Sequence, residues 1–177
     1  GYNSFNGYIW NKLFDLQLIR ENDIRFHADY PACEDTMFVG SYLYHCSRVC
    51  VTEECLYCYR QVSGGANRGR YSGRKAYDPK WMSVFEMTEY MADLYKDDAV
   101  TAACRLHEVR EAGIVLRSME AAGYHGADHA RLKDILRRGA GLFFRDENSG
   151  RSQKLSVLLS CISPKLELAV WKLRNRK

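Results

Sequence analysis

The sequence predicts an α+β protein, mostly helical, and two observations carry that expectation. After residue 75 the apolar residues recur at helical spacing in one segment after another. Before it, two short runs, Arg48–Thr52 and Glu54–Arg60, have the Val, Cys, Leu and Tyr content that suits strands. The 177 residues, 46% hydrophobic and 27% charged, can bury a core and are neither disordered nor fibrous.

The elements follow in order. Trp10 to Asn22 reads as a short helix, with Leu13, Phe14, Leu16, Leu18 and Ile19 on one side. Ile24 and Phe26 begin an extended segment that runs into a loop before Pro31, because the residue preceding proline avoids the helical region. Glu34 and Asp35 open a second helix reaching His45; acidic side chains complement the unpaired amides of a helix start. The two strands come next. Residues 63–75 then place four Gly and four positive charges in a basic loop. Five helices follow: Pro79 to Asp97, with Asp78 as its cap, Asp98 to Ala122, Asp128 to Phe144, Ser152 to Cys161, and Pro164 to Arg176. Gly123 and the Gly139-Ala140-Gly141 cluster are expected stops or kinks.

Charge and cysteine content narrow the functional classes. Residues 130–177 hold 12 Lys+Arg against 4 Asp+Glu, while the whole chain is only +4. No motif for base or phosphate-backbone recognition accompanies that basic end, so nucleic acid is not an expected partner. Seven Cys, an odd number, fit reduced thiols and hence a cytoplasmic location. The opening at Gly1, straight into aromatic, motif-like sequence, reads as part of a longer protein.

An ordered set of motifs fills the first sixty residues. It runs Asn6-Gly7-Tyr8-Ile9-Trp10-Asn11-Lys12-Leu13-Phe14, then Ile24-x-Phe26, then Glu34-Asp35-Thr36-x-Phe38, then Cys55-Leu56-Tyr57-x-Tyr59-Arg60 and Ser63. The set resembles the C-terminal part of the catalytic domain in bacterial family-2 glycosyltransferases, the inverting enzymes of GT-A type. The resemblance covers about residues 5–65 and implies an incomplete acceptor-side end of a GT-A domain at 1–70, followed by a helical C-terminal extension at 71–177. The implied reaction is transfer of a sugar from a nucleotide-diphosphate donor to a hydroxyl acceptor with inversion, in cell-surface polysaccharide or glycolipid synthesis.

Residue roles carry over by motif. Inverting transfer needs a carboxylate to take the proton of the attacking hydroxyl; the match gives that role to Asp35, with Glu34 orienting the loop. Trp10, Asn11 and Lys12 stand where the family binds its acceptor, an indole face suiting a sugar ring. Arg60 is placed to meet the donor diphosphate. The family also uses a divalent metal, Mn or Mg, on an Asp-x-Asp motif that this sequence lacks. The chain alone is therefore expected to hold no metal, bind no nucleotide-sugar and be inactive.

Two further readings stand beside this one. The helical run after residue 70 is also what a non-catalytic helical interaction module would show. Cys46, Cys50, Cys55 and Cys58 have the density of a small zinc domain, but a strand-like run would send Cys55 to the opposite face from Cys58. His125 and His129, separated across Gly126, read as surface residues. Finally, residues 152–177 place Leu155, Val157, Leu158, Leu159 and Ile162, then after Pro164 Leu166, Leu168, Ala169, Val170, Trp171 and Leu173, beside Lys165, Lys172, Arg174, Arg176 and Lys177. That pattern predicts contact with an anionic membrane, peripheral at the inner face of the plasma membrane.

Overall fold

The computed structural model describes residues 7–30, 32–60 and 77–175. Their order is α1 (Leu16–Glu21), α2 (Glu34–His45), a 3-10 turn (Pro79–Met82), α3 (Ser83–Tyr95), α4 (Asp98–Ala122), α5 (Ala127–Arg145), α6 (Arg151–Ile162) and α7 (Pro164–Arg174). The chain divides into two compact units. The first holds the described residues up to 60 together with Met82–Thr101. The second holds residues 77–81 and everything from Ala102 onward. Thus α3, which follows the sequence-predicted boundary at residue 70, belongs with the first unit.

In the first unit α2 and α3 pack side by side. Met37, Phe38 and Val39 from α2 and Val84, Phe85, Met87 and Met91 from α3 are buried. Two polar links fix the pair: Ser41 Oγ and Tyr90 Oη share a hydrogen bond of 2.7 Å, and Tyr95 Oη donates to the Gly40 carbonyl at 2.9 Å. The rings of Phe14 and Phe26 close on Phe38, at 5.4 and 4.3 Å between centroids. α1 is shorter than the 10–22 helix expected from sequence. Asp15 caps it, accepting from Gln17 N–H at 2.8 Å, while its own N–H donates to Tyr42 Oη at 2.8 Å. Asp15 thereby stops the helix from extending back to Trp10.

The two expected strands are absent: residues 48–60 are irregular and exposed, and no strand occurs among the described residues. A strand is a property of a pair, and β-rich composition cannot form a ladder without a partner to bond. The short strands of a GT-A domain are therefore not seen, and the described residues are helical with irregular connections.

In the second unit α4 supplies the central face. Val109, Ala112, Val115, Leu116 and Met119 are buried from α4, Leu132, Leu136 and Phe143 from α5, and Val157 from α6. The expected break at Gly139 and Gly141 does not occur; α5 runs from Ala127 to Arg145. Gly139 is instead the position where Val109 comes so close that a Cβ would overlap its methyl. Gly123 does end α4, with φ +68. Pro164 opens α7 behind Ser163, whose hydroxyl accepts from Leu166 N–H at 3.4 Å. The Gly-rich basic loop of 63–75 lies outside the described residues.

Candidate functional site

The sequence-predicted site residues fall in the first unit, and the structure brings most of them together at the start of α2. Glu34 and Asp35 form the first turn of that helix. Its N-cap, Cys33, makes no side-chain capping bond, and the two acidic residues occupy the first turn, where the helix dipole favours negative charge. The turn at 8–12 lies over it. Lys12 N–H donates to the Ile9 carbonyl at 3.2 Å, and Lys12 Nζ donates to the Tyr8 carbonyl at 2.6 Å and to Asn11 Oδ1 at 2.8 Å. Gly7 presses on Thr36 so closely that a Cβ would overlap the threonine hydroxyl. The turn can settle on the helix only because residue 7 has no side chain.

This contact sets the electrostatics of Asp35. Burial pushes its carboxyl above the ordinary aspartate value, while the Ile9 N–H and the Lys12 ammonium pull it back. Burial likewise lowers Lys12 below the ordinary lysine value, and Asp35 opposes that. A partly desolvated carboxylate, held by one backbone N–H and faced by an ammonium, is a stronger base than one free in water.

Trp10 sits half-buried among rings. Its centroid lies 5.7 Å from Tyr8, 4.9 Å from Tyr57 and 4.8 Å from Tyr59. Tyr57 and Tyr59 both reach the indole from the irregular segment 48–60. All three tyrosines remain about half exposed, at 46%, 53% and 54%. The aromatic surface open to a ligand is therefore mainly tyrosine. Sequence reasoning centred on Trp10 gave these rings no role, although the Tyr-x-Tyr spacing is the signal that would have found them. Asn11 is exposed and tied to Lys12; Arg60 is exposed directly after Tyr59.

The residues present do not fit a Mn or Mg centre. Asp35 faces an ammonium and a backbone N–H, and a hard cation needs several free oxygen ligands instead. Cys46, Cys50, Cys55 and Cys58 do not assemble either; among the described residues no metal-competent cluster contains a cysteine. The one such cluster, Glu120, His125 and His129, lies in the second unit.

At the basic end, Trp171 is half-buried, with the Arg117 guanidinium 5.0 Å from its ring centroid. Leu155, Leu158 and Ile162 of α6 and Leu166 and Leu173 of α7 are exposed. No helix among the described residues is long and apolar enough to cross a membrane. Arg176 and Lys177 lie outside the described residues. Comparison with protein-family models, curated proteins and solved structures finds no significant match to the chain.

Proposed function

We propose that the first unit is the acceptor side of an inverting family-2 glycosyltransferase whose donor half, with its divalent metal, lies on sequence outside this chain. One observation carries the reading: the turn 8–12 and the carboxylate of Asp35, separated in sequence, meet at the start of α2 with Asp35 partly desolvated. Asp35 takes the proton of the acceptor hydroxyl while that oxygen bonds to the anomeric carbon. The bond from that carbon to the donor phosphate oxygen breaks, and the nucleoside diphosphate leaves with its electron pair. Arg60, exposed beside the tyrosines, meets the departing diphosphate. Tyr8, Tyr57 and Tyr59, packed on Trp10, offer flat apolar faces to the acceptor sugar. Lys12 and Asn11 give the turn its shape and supply polar contacts at its rim.

The test is Asp35→Asn in the complete enzyme, assayed for release of nucleoside diphosphate that depends on acceptor. The variant keeps the acceptor surface, so acceptor affinity should persist while turnover falls by about a hundredfold or more. Wild-type turnover would remove Asp35 from the mechanism.

A second reading concerns residues 152–177, where the exposed leucines of α6 and α7 lie beside Lys165, Lys172 and Arg174. These residues suit the surface of an anionic bilayer and a peripheral, cytoplasmic-face location. Co-sedimentation with phosphatidylserine vesicles should fall with salt and with neutralisation of Lys172 and Arg174. Equal retention by neutral vesicles would remove the basic residues from the reading, and no retention by either would leave the exposed leucines as a surface for another protein, as in a helical interaction module.

A further inference from the structure

We propose that Glu120, His125 and His129 bind a zinc ion at the corner between α4 and α5. Glu120 stands in the last turns of α4, His125 in the four-residue connection, and His129 in the first turn of α5. His129 Nε2 lies 2.9 Å from Glu120 Oε1, and His125 Nδ1 lies 3.8 Å from the same oxygen. One ligand atom from each residue falls within 4.8 Å of the other two. Tetrahedral ligands about 2 Å from zinc stand about 3.3 Å apart, so to close on an ion His125 draws inward and the Glu120–His129 hydrogen bond opens slightly.

The corner is built to hold these groups. Tyr124 N–H donates to the Met119 carbonyl at 2.9 Å and Gly123 N–H to the Glu120 carbonyl at 3.2 Å, the double bond pattern that ends a helix on a left-handed glycine. The Tyr124 ring packs on Tyr77 at 4.8 Å between centroids, and its hydroxyl rests where a Cβ on Gly126 would stand. Tyr77 Oη in turn donates to Asp128 Oδ2 at 3.2 Å, next to His129. The connection is thus fixed on both sides of His125.

A plain structural role covers only part of this. Glu120 and His129, with side chains 5% and 13% exposed, are a satisfied hydrogen-bonded pair. His125 is 51% exposed, yet its ring stands edge-on to His129 at 5.1 Å, with a nitrogen turned toward the same carboxylate. Two imidazoles and one carboxylate form a borderline donor set that favours zinc over magnesium or calcium. The exposed side of His125 leaves a fourth position for water.

The experiment titrates the tag-free chain with Zn²⁺ alone by calorimetry, and with Co²⁺ followed by visible absorption. One equivalent should bind, and Co²⁺ should show weak visible bands without a thiolate charge-transfer band. His125→Ala and His129→Ala should each weaken binding by at least about tenfold, since even outer-shell losses reach that size. Cys46→Ser/Cys50→Ser/Cys55→Ser/Cys58→Ser should leave it unchanged. Circular dichroism checks each variant, and the exposed His125→Ala carries the test should His129→Ala unfold. No saturable binding, binding unchanged in His125→Ala, or a thiolate charge-transfer band accounting for the single equivalent would each overturn the proposal. These readouts do not involve glycosyl transfer, so the zinc site stands or falls apart from the proposed enzyme.

Discussion

Replacing Arg117 by Met in the second unit isolates one charge of a buried pair. Arg117 Nη1 donates to Glu167 Oε1 at 2.8 Å, and the two side chains are only 8% and 3% exposed. Ser156 Oγ donates to the same oxygen at 2.6 Å, whereas Glu167 Oε2 has no hydrogen-bond partner. Methionine follows the arginine stem, so the change removes the charge and little of the packing. What remains is a buried carboxylate supported by Ser156. Breaking such a pair from one side costs about 3–5 kcal/mol, most of it the uncompensated charge and not the lost attraction. Arg117→Met/Glu167→Leu removes both charges and should return to within about 1 kcal/mol of the native protein, or exceed it. Urea unfolding followed by circular dichroism gives both values, with the slope checked for constancy. The double-mutant cycle then gives the coupling directly. If Arg117→Met costs under about 1 kcal/mol at unchanged slope, the pair is not desolvated and the argument is wrong.

Other expectations follow from the site and its supports. Asp35 titrates above the ordinary aspartate value in the folded state, so its ionisation opposes folding: the stability gained at low pH is lost as pH rises through its folded value. Asp35→Asn should therefore raise the melting temperature at neutral pH while lowering turnover of the complete enzyme; a lower melting temperature would contradict the partial desolvation. Lys12→Met removes the cation that holds Asp35 down, so the acid limb of kcat/KM in the complete enzyme should move to higher pH, and a limb that stays in place would contradict the contact. Gly7→Ala should lower acceptor affinity with little effect on the second unit, because the added Cβ displaces the turn from Thr36; unchanged KM for acceptor would refute this. Gly123→Ala should cost about 1–2 kcal/mol, the penalty of a left-handed residue with a side chain, read from the same unfolding curves.

The helices were legible because their signals are local. Glu34-Asp35 marks the start of α2, Asp97 caps α4 through bonds of 2.9 Å to Ala99 and Val100 N–H, and Pro164 behind Ser163 opens α7. The strands were misread because Val49, Val51 and Leu56 have strand-like side chains but no partner strand among the described residues. Asp35 could be named from its motif, but its desolvation depends on a turn more than twenty residues earlier, and no spacing rule reports that. The same limit hid Glu120, His125 and His129. The two histidines lie on either side of a helix start, and the carboxylate that unites them sits on the preceding helix.

The ring cluster at the site has an optical consequence. Trp10 is the sole tryptophan of the first unit; Trp81 and Trp171 belong to the second. Three tyrosines within 6 Å of its indole by centroid will pass excitation to it, since phenol emission overlaps indole absorption and transfer falls steeply with distance. A protein with Trp81 and Trp171 replaced by Phe thus carries a reporter of whether residues 57–59 are closed on the turn. A sugar that slides between a phenol and the indole lowers the sensitised emission. One that lies on the outer phenol faces leaves it intact. Acceptor entry and segment opening can then be timed separately, with no label attached.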